Sequence, residues 1–236
     1  MRKFIISIDA GTTSNRSILF DLKGNPVFSS QKEFTQYFPK NGWVEHDPEE
    51  IWKTTTKTLK EVIQKAKKLK GKILSIGITN QRETTVLWNK KTGKTVYKAI
   101  VWQDRRTEDY CEKLRKQNKD TAIFNKTGLL IDPYFSATKI KWILNNIPNA
   151  KKLMIKNQLL FGTIDTFLIW RLTKGKVHAT DATNASRTMI YNITSNQWDD
   201  TILKLLKIKK NILPEVKDCA DDFGQTHSSI TGKSIP

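Results

Sequence analysis

"IDAGTTSNR", Ile8 to Arg16, is the stretch from which the rest of the chain is read. An apolar run, Phe4 to Ile8, leads into it, and a second, Ile18 to Phe20, leads away. Lys3–Asp9 and Arg16–Asp21 read as strands joined by the turn GTTSNR. So short a link favours antiparallel pairing. The turn holds more hydrogen-bonding groups than a simple reversal needs. Its glycine permits a tight backbone and close approach to a ligand. Successive N–H groups in such a turn can form a nest for an anion. The hydroxyls of Thr12, Thr13 and Ser14 add donors, and Arg16 adds a fixed positive charge suited to phosphate oxygens. Asp9, at the end of a buried strand, could hold Mg²⁺ directly or through its waters. The ordinary alternative is a polar hairpin turn, because Gly/Thr/Ser turns are common.

Outward from the turn, Val27–Gln36 reads as a third strand, reached through Lys23-Gly24-Asn25-Pro26, so the first three strands form a meander. Asp47-Pro48-Glu49-Glu50 opens a helix, with an aspartate cap, proline at the first helical position and acids at the positive end. Ile51, Thr55, Leu59, Val62 and Ala66 carry that helix to about Leu69, with Gly71 as its stop. Strands follow over Ile73–Thr79 and Thr84–Trp88, then a turn at Lys91-Thr92-Gly93-Lys94. Helices are predicted over Thr107–Asn118, Ser136–Asn146 with Ser136 as cap, Thr163–Leu172 and Asp199–Leu206. Strands, a helix, more strands and then several helices make an α/β domain.

Composition narrows the function classes. With 236 residues, 38% hydrophobic and 27% charged, the chain can bury a core and is not of disordered type. The formal charge of +18 raises the question of nucleic acid. Its lysines, however, are spread along helices, as at Lys57, Lys60, Lys65 and Lys67, with no arginine-rich block between aromatics. A solvated lysine-rich surface that attracts an anionic substrate is the better reading, and no nucleic-acid partner is expected. No window suits a membrane span, and the apolar start reads as a first strand and not as a signal peptide. Two cysteines far apart, Cys111 and Cys219, place the chain in a reducing cytoplasm. His46, His178 and His227 are scattered, which speaks against structural zinc and against a Ser/His/Asp triad. Thr231-Gly232-Lys233-Ser234 imitates the tail of a P-loop, but His227 stands where the motif needs glycine.

Three further stretches carry candidate chemistry. Asn80-Gln81-Arg82-Glu83-Thr84 follows a strand, and its mixed charges suit a small polyol: Arg82 would donate to hydroxyl oxygens and Glu83 accept from hydroxyl hydrogens. Neighbours on a regular strand face opposite sides, so both reach one ligand only if the strand ends or bulges there. A surface ion pair is the alternative. Trp102, in Trp102-Gln103-Asp104-Arg105-Arg106, would offer a flat wall to a substrate's carbon face, or else be a core tryptophan. Tyr134, in Ile131-Asp132-Pro133-Tyr134-Phe135-Ser136, would bond a hydroxyl, or else pack a loop.

Seven stretches together resemble the carbohydrate kinases: "IDAGTTSNR", "GWVEHDPEEIW", "IGITNQRETTVLW", "AIVWQDRRT", "NKTGLLIDPYFSATKIKWIL", "LLFGTIDTFLIWRLT" and "HATDATNASRTMIYNI". They keep their order over nearly the whole chain. "NQRETT" with "DPYFSATK" points to the glycerol kinases within that family and away from xylulokinases and gluconokinases. The resemblance implies an actin-like, ribonuclease-H-like ATPase fold and transfer of the γ-phosphoryl of MgATP to glycerol. By the same resemblance Thr12, Thr13, Ser14 and Arg16 meet the nucleotide phosphates, Asp9 serves Mg²⁺, and Arg82, Glu83, Trp102 and Tyr134 line the glycerol site. Ala10 stands where many members have glutamine. Members are about twice this length, and a second domain brings a Gly-Asp-Gln-Gln motif whose aspartate is the base; that motif does not occur here. Residues 1–236 are therefore expected to be an N-terminal domain, inactive alone, and the full-length protein a homo-oligomer. A non-catalytic actin-like nucleotide-binding module is the rival of another class, although it would have no need of a polyol site.

Overall fold

The computed structural model describes residues 1–236. β1 (Arg2–Ala10), β2 (Ser14–Asp21) and β3 (Pro26–Glu33) form the antiparallel meander that the short turns require. A fourth strand, Gly71–Asn80, lies on the other side of β1 and runs parallel to it. A parallel partner needs a crossover, and α1 (Pro48–Lys68) supplies it. Alternation along β1 buries Phe4, Ile6, Ile8 and Ala10 in the same core as Ile51, Leu59, Val62 and Ala66 of α1. On β2, Asn15 and Ser17 also turn to the helix: Asn15 Nδ2 donates to the Ile51 carbonyl at 3.0 Å, and the Ser17 and Thr58 hydroxyls lie 2.8 Å apart. The same alternation leaves Asp9 and Arg16, register partners on β1 and β2, together on the opposite face.

The start of α1 matches the sequence reading. Asp47 Oδ1 accepts from the Glu49 N–H at 2.9 Å, and Pro48 is the first helical residue. Its end differs. Gly71 is not the stop; Lys70 takes the left-handed conformation (φ 51°) and Gly71 already begins the next strand. That position demands glycine for another reason: a Cβ there would sit 2.1 Å from Phe4 Cε2. The third strand is also shorter than Val27–Gln36. Pairing with β2 ends at Glu33, Phe34 turns into the core, and Gln36–Tyr37 pairs with Glu45–His46 in a separate small sheet.

Two hydrophobic cores result. One lies under the four-stranded sheet, and the other is built from the later helices. The strands Val86–Asn89, Ala99–Ile100 and Leu159–Gly162 form the wall between them. Their side chains alternate: Val86, Trp88, Ala99 and Leu160 enter the first core, while Leu87, Ile100, Leu159 and Phe161 enter the second. A strand buried on both faces reads as a continuous apolar run, as these do. The helices Glu108–Lys116, Ser136–Asn146, Ile164–Leu172 and Asp200–Leu206 fall where periodicity predicts them. Two more, Asp120–Thr127 and Pro148–Ile155, complete the second core. Ser136 does not cap its helix; its hydroxyl donates to the Glu83 carbonyl at 2.9 Å. No helix is long and apolar enough to cross a membrane.

The two residues at the end of α1 should respond in opposite senses to substitution. Gly71→Ala forces the Phe4 ring aside and should cost about 1–3 kcal/mol. Lys70→Gly relieves a left-handed side chain and should gain up to about 1 kcal/mol. Urea denaturation of both variants checks the pair; a neutral Gly71→Ala would show that Phe4 has room to move.

Candidate functional site

Because β1 and the strand Gly71–Asn80 run parallel, both end at the same edge, with Ala10 beside Asn80. The Gly11-Thr12-Thr13 turn and the segment Gln81–Thr84 are thereby brought side by side. Side chains then close a circuit between them. Gln81 Nε2 donates to the Gly11 carbonyl at 3.0 Å, and Thr84 Oγ1 donates to Gln81 Oε1 at 2.9 Å. Thr84 Oγ1 accepts from the Trp102 backbone N–H at 3.4 Å, and Trp102 Nε1 donates to Thr12 Oγ1 at 3.0 Å. Since Thr12 accepts from the indole, its own hydroxyl hydrogen remains free for a ligand acceptor. Gln81 Nε2 also lies 3.3 Å from His46 Nδ1, whose Nε2 is 2.6 Å from Gln36 Oε1. Burial pulls His46 down to about 4. The ring is therefore neutral at pH 7, its Nε2–H donating to Gln36 and its Nδ1 accepting from Gln81.

The strand ends before the acidic and basic neighbours, and a turn separates them. Glu83 takes a left-handed backbone (φ 63°) and its side chain is buried, while Arg82 points to solvent without a side-chain partner. The two do not pair with each other. Glu83 Oε1 accepts instead from Arg187 Nε at 2.6 Å. The Arg187 guanidinium lies 4.9 Å from the Phe135 ring centroid and 5.7 Å from that of Tyr134. Tyr134 in turn stands against Trp102, ring centroids 5.4 Å apart and planes at 58°. Its hydroxyl has no protein partner, and its backbone N–H donates to Asp132 Oδ1 at 2.7 Å. Thr12, Trp102, Tyr134 and Glu83 thus belong to one chain of contacts, with Arg187 as the link that sequence reading left unassigned. An arginine between small and apolar residues, as in Ala185-Ser186-Arg187-Thr188-Met189-Ile190, was its one signal.

The remaining sequence candidates lie around this chain. Asp9 Oδ2 accepts from Arg16 Nη2 at 2.9 Å, both partly exposed. Ser14 Oγ accepts from Gln31 Nε2 at 2.8 Å, and Thr13 is exposed with no side-chain bond. In the segment after Trp102, the other charges serve the scaffold. The Arg106 side chain is fully buried between the rings of Trp43 and Trp142, 3.8 and 4.7 Å away, and donates to Asp104 and Glu45 at 2.8 Å. No group of three His, Cys, Asp or Glu side chains comes together to hold a metal. Mg²⁺ is commonly held by one or two carboxylates with phosphate oxygens and water. Asp9, a partly exposed carboxylate beside the Gly11–Thr13 turn, is a group of that chemistry.

A family model described as the FGGY family of carbohydrate kinases, N-terminal domain, matches residues 4–235. The chain belongs to this family. It is 57% identical over 236 residues to a glycerol kinase of Sinorhizobium fredii, covering 100% of this chain and 48% of that protein. The crystal structure of Plasmodium falciparum glycerol kinase with ADP superposes with a TM-score of 0.94 at 38% identity, covering 99% of this chain and 47% of the other. A gluconate kinase from Lactobacillus acidophilus gives 0.87 at 27% identity, over 100% of this chain and 47% of that one. The FGGY domain has the actin-like ATPase architecture that its motifs imply. It spans about half the length of the curated relatives it matches.

His46 makes the circuit sensitive to acid. Its native value of about 4 lies below the ordinary 6.5, so between those limits the unfolded chain binds a proton that the native ring refuses. Stability should therefore fall as pH drops from 6.5 towards 4, by about 3 kcal/mol from this residue. Urea melts at pH 7 and pH 4 measure the loss; His178, which burial also pulls down to about 4, adds a loss of the same sign, so His46→Gln should lessen the difference without removing it, and an unchanged pH dependence would contradict the assignment.

Proposed function

We propose that this FGGY domain is the N-terminal half of a glycerol kinase, transferring the γ-phosphoryl of MgATP to glycerol to give glycerol 3-phosphate. The observation that carries the reading is the bond from Trp102 Nε1 to Thr12 Oγ1. It sets the hydroxyl-rich turn one hydrogen bond away from the aromatic and carboxylate groups suited to a polyol. A phosphate-binding turn and a polyol pocket in contact are what phosphoryl transfer between the two requires. Identity to proteins named glycerol kinase exceeds one half over the whole chain and supports glycerol over other polyols.

In this proposal Thr12, Thr13, Ser14 and Arg16 bind the phosphates, and Arg82, Glu83, Trp102 and Tyr134 take glycerol. Glu83 is held in place by Arg187 and accepts from a glycerol hydroxyl, while the Trp102 and Tyr134 rings cover the carbon face. Asp9 would help hold Mg²⁺, which when bound would neutralise charge on the transferred group. The hydroxyl proton goes to a base outside this chain, on the C-terminal domain that completes the site. Two free cysteines agree with a cytoplasmic setting.

Coupled assays on residues 1–236 followed by a C-terminal domain test the reading. Glycerol should be phosphorylated, and xylulose and gluconate turned over at under about one hundredth of that rate. The double variant Thr12→Val/Thr13→Val should lose transfer and keep glycerol binding by calorimetry; loss of glycerol binding would reassign the turn. Residues 1–236 alone should show no transfer, and measurable transfer would overturn the domain assignment. Preference for a sugar acid or ketose would move the reading to another kinase of the family.

A further inference from the structure

Lys139 bonds none of the side chains of the turn or of the aromatic wall. It sits in the first turns of the helix Ser136–Asn146 and is fully buried. Its ammonium forms no salt bridge; Nζ donates to the Tyr134 carbonyl at 2.5 Å and reaches the Phe135 carbonyl at 3.5 Å. Long helical side chains point back towards the N-terminus, which is how Lys139 reaches the two peptides that precede its own helix. The placement is costly twice over. A buried cation loses its hydration, and the start of a helix carries positive potential. Burial pulls the ammonium down to about 7, with the nearby Asp104, Glu83 and Asp132 carboxylates opposing. An apolar side chain of equal length would escape both costs, so the cation acts on the carbonyls it holds.

Those carbonyls belong to the segment that presents the aromatic wall. Asp132 takes the Tyr134 N–H, Lys139 takes the Tyr134 carbonyl, and Ser136 bonds the Glu83 carbonyl. The Tyr134 peptide is thus gripped at both ends, and the ring it carries rests against Trp102. We propose that Lys139 is a positioning residue, whose buried ammonium fixes the Tyr134–Phe135 peptides and so sets the Tyr134 ring at the polyol pocket. The inference rests on the glycerol kinase reading for its kinetic consequence, and on these hydrogen bonds alone for its structural one.

The experiment compares wild type with Lys139→Met, equal in length and without charge or donor, in the protein carrying its C-terminal domain. Lys139→Met should raise KM for glycerol at least tenfold, with kcat and KM for ATP within threefold. Hydrogen exchange of peptides covering residues 132–138 should quicken at least tenfold, with β1 and β2 unchanged. An unaltered glycerol KM with unaltered exchange, or a uniform loss of protection and of all constants together, overturns the proposal. Should Lys139→Met fail to fold, Lys139→Gln, which keeps two N–H donors without charge, is read by the same two criteria. Wild type inactive on glycerol would defeat the functional reading, while the exchange measurement still decides the role of Lys139.

Discussion

The Gln81 side chain is the interaction on which this arrangement depends. Its amide nitrogen serves the Gly11 carbonyl and His46, and its amide oxygen serves Thr84. One buried group thereby satisfies three segments that are far apart in sequence. Removing it would strand buried polar partners, which costs more than the bonds themselves contribute. The parallel pairing of β1 with Gly71–Asn80 delivers Gln81 to that position, through the Gln81 N–H to Ala10 carbonyl bond at 2.8 Å. The sheet topology and the site are one construction.

A division of labour runs through the polar motifs. In the segment Trp102–Arg106, one residue meets the site and two are structural. Asp104 also accepts from the Val44 N–H at 2.6 Å, so the Asp104–Arg106–Glu45 cluster ties the Gly42–His46 stretch to the wall between the cores. Buried ion pairs of this kind tolerate loss of one partner badly, since the other is left uncompensated. Nearby positions therefore differ in consequence: a change at Trp102 removes its bond to Thr12, and a change at Arg106 leaves buried carboxylates uncompensated.

The sequence made the frame legible where a local rule governs. The Asp47-Pro48 helix start, the meander and the buried Ile164–Leu172 helix follow from capping, turn length and apolar patterning. It misled where a contact distant in sequence takes over a residue with an ordinary local role. Gly71 looked like a helix stop and is a place for the Phe4 ring; Ser136 looked like a cap and is a tie to Glu83. In the site, Thr12, Trp102, Tyr134 and Glu83 could be picked out by chemistry, and the structure brings them into one chain of contacts. The partner of Glu83 could not, because Arg187 lies 104 positions away and no spacing rule links them. Arg82 looked equivalent to its neighbour, yet a single left-handed residue sends the two side chains to different environments.

The wall of strands between the cores has a mechanical meaning. The Gly11–Thr12 edge rests on the core under the sheet, whereas Tyr134, Phe135 and the residues flanking Arg187 rest on the helical core. The groups proposed to meet phosphate and polyol thus stand over different cores, which share the wall of strands, and the Trp102 to Thr12 bond links them directly. A small tilt of one core against the other would change the gap between donor and acceptor while leaving each core intact.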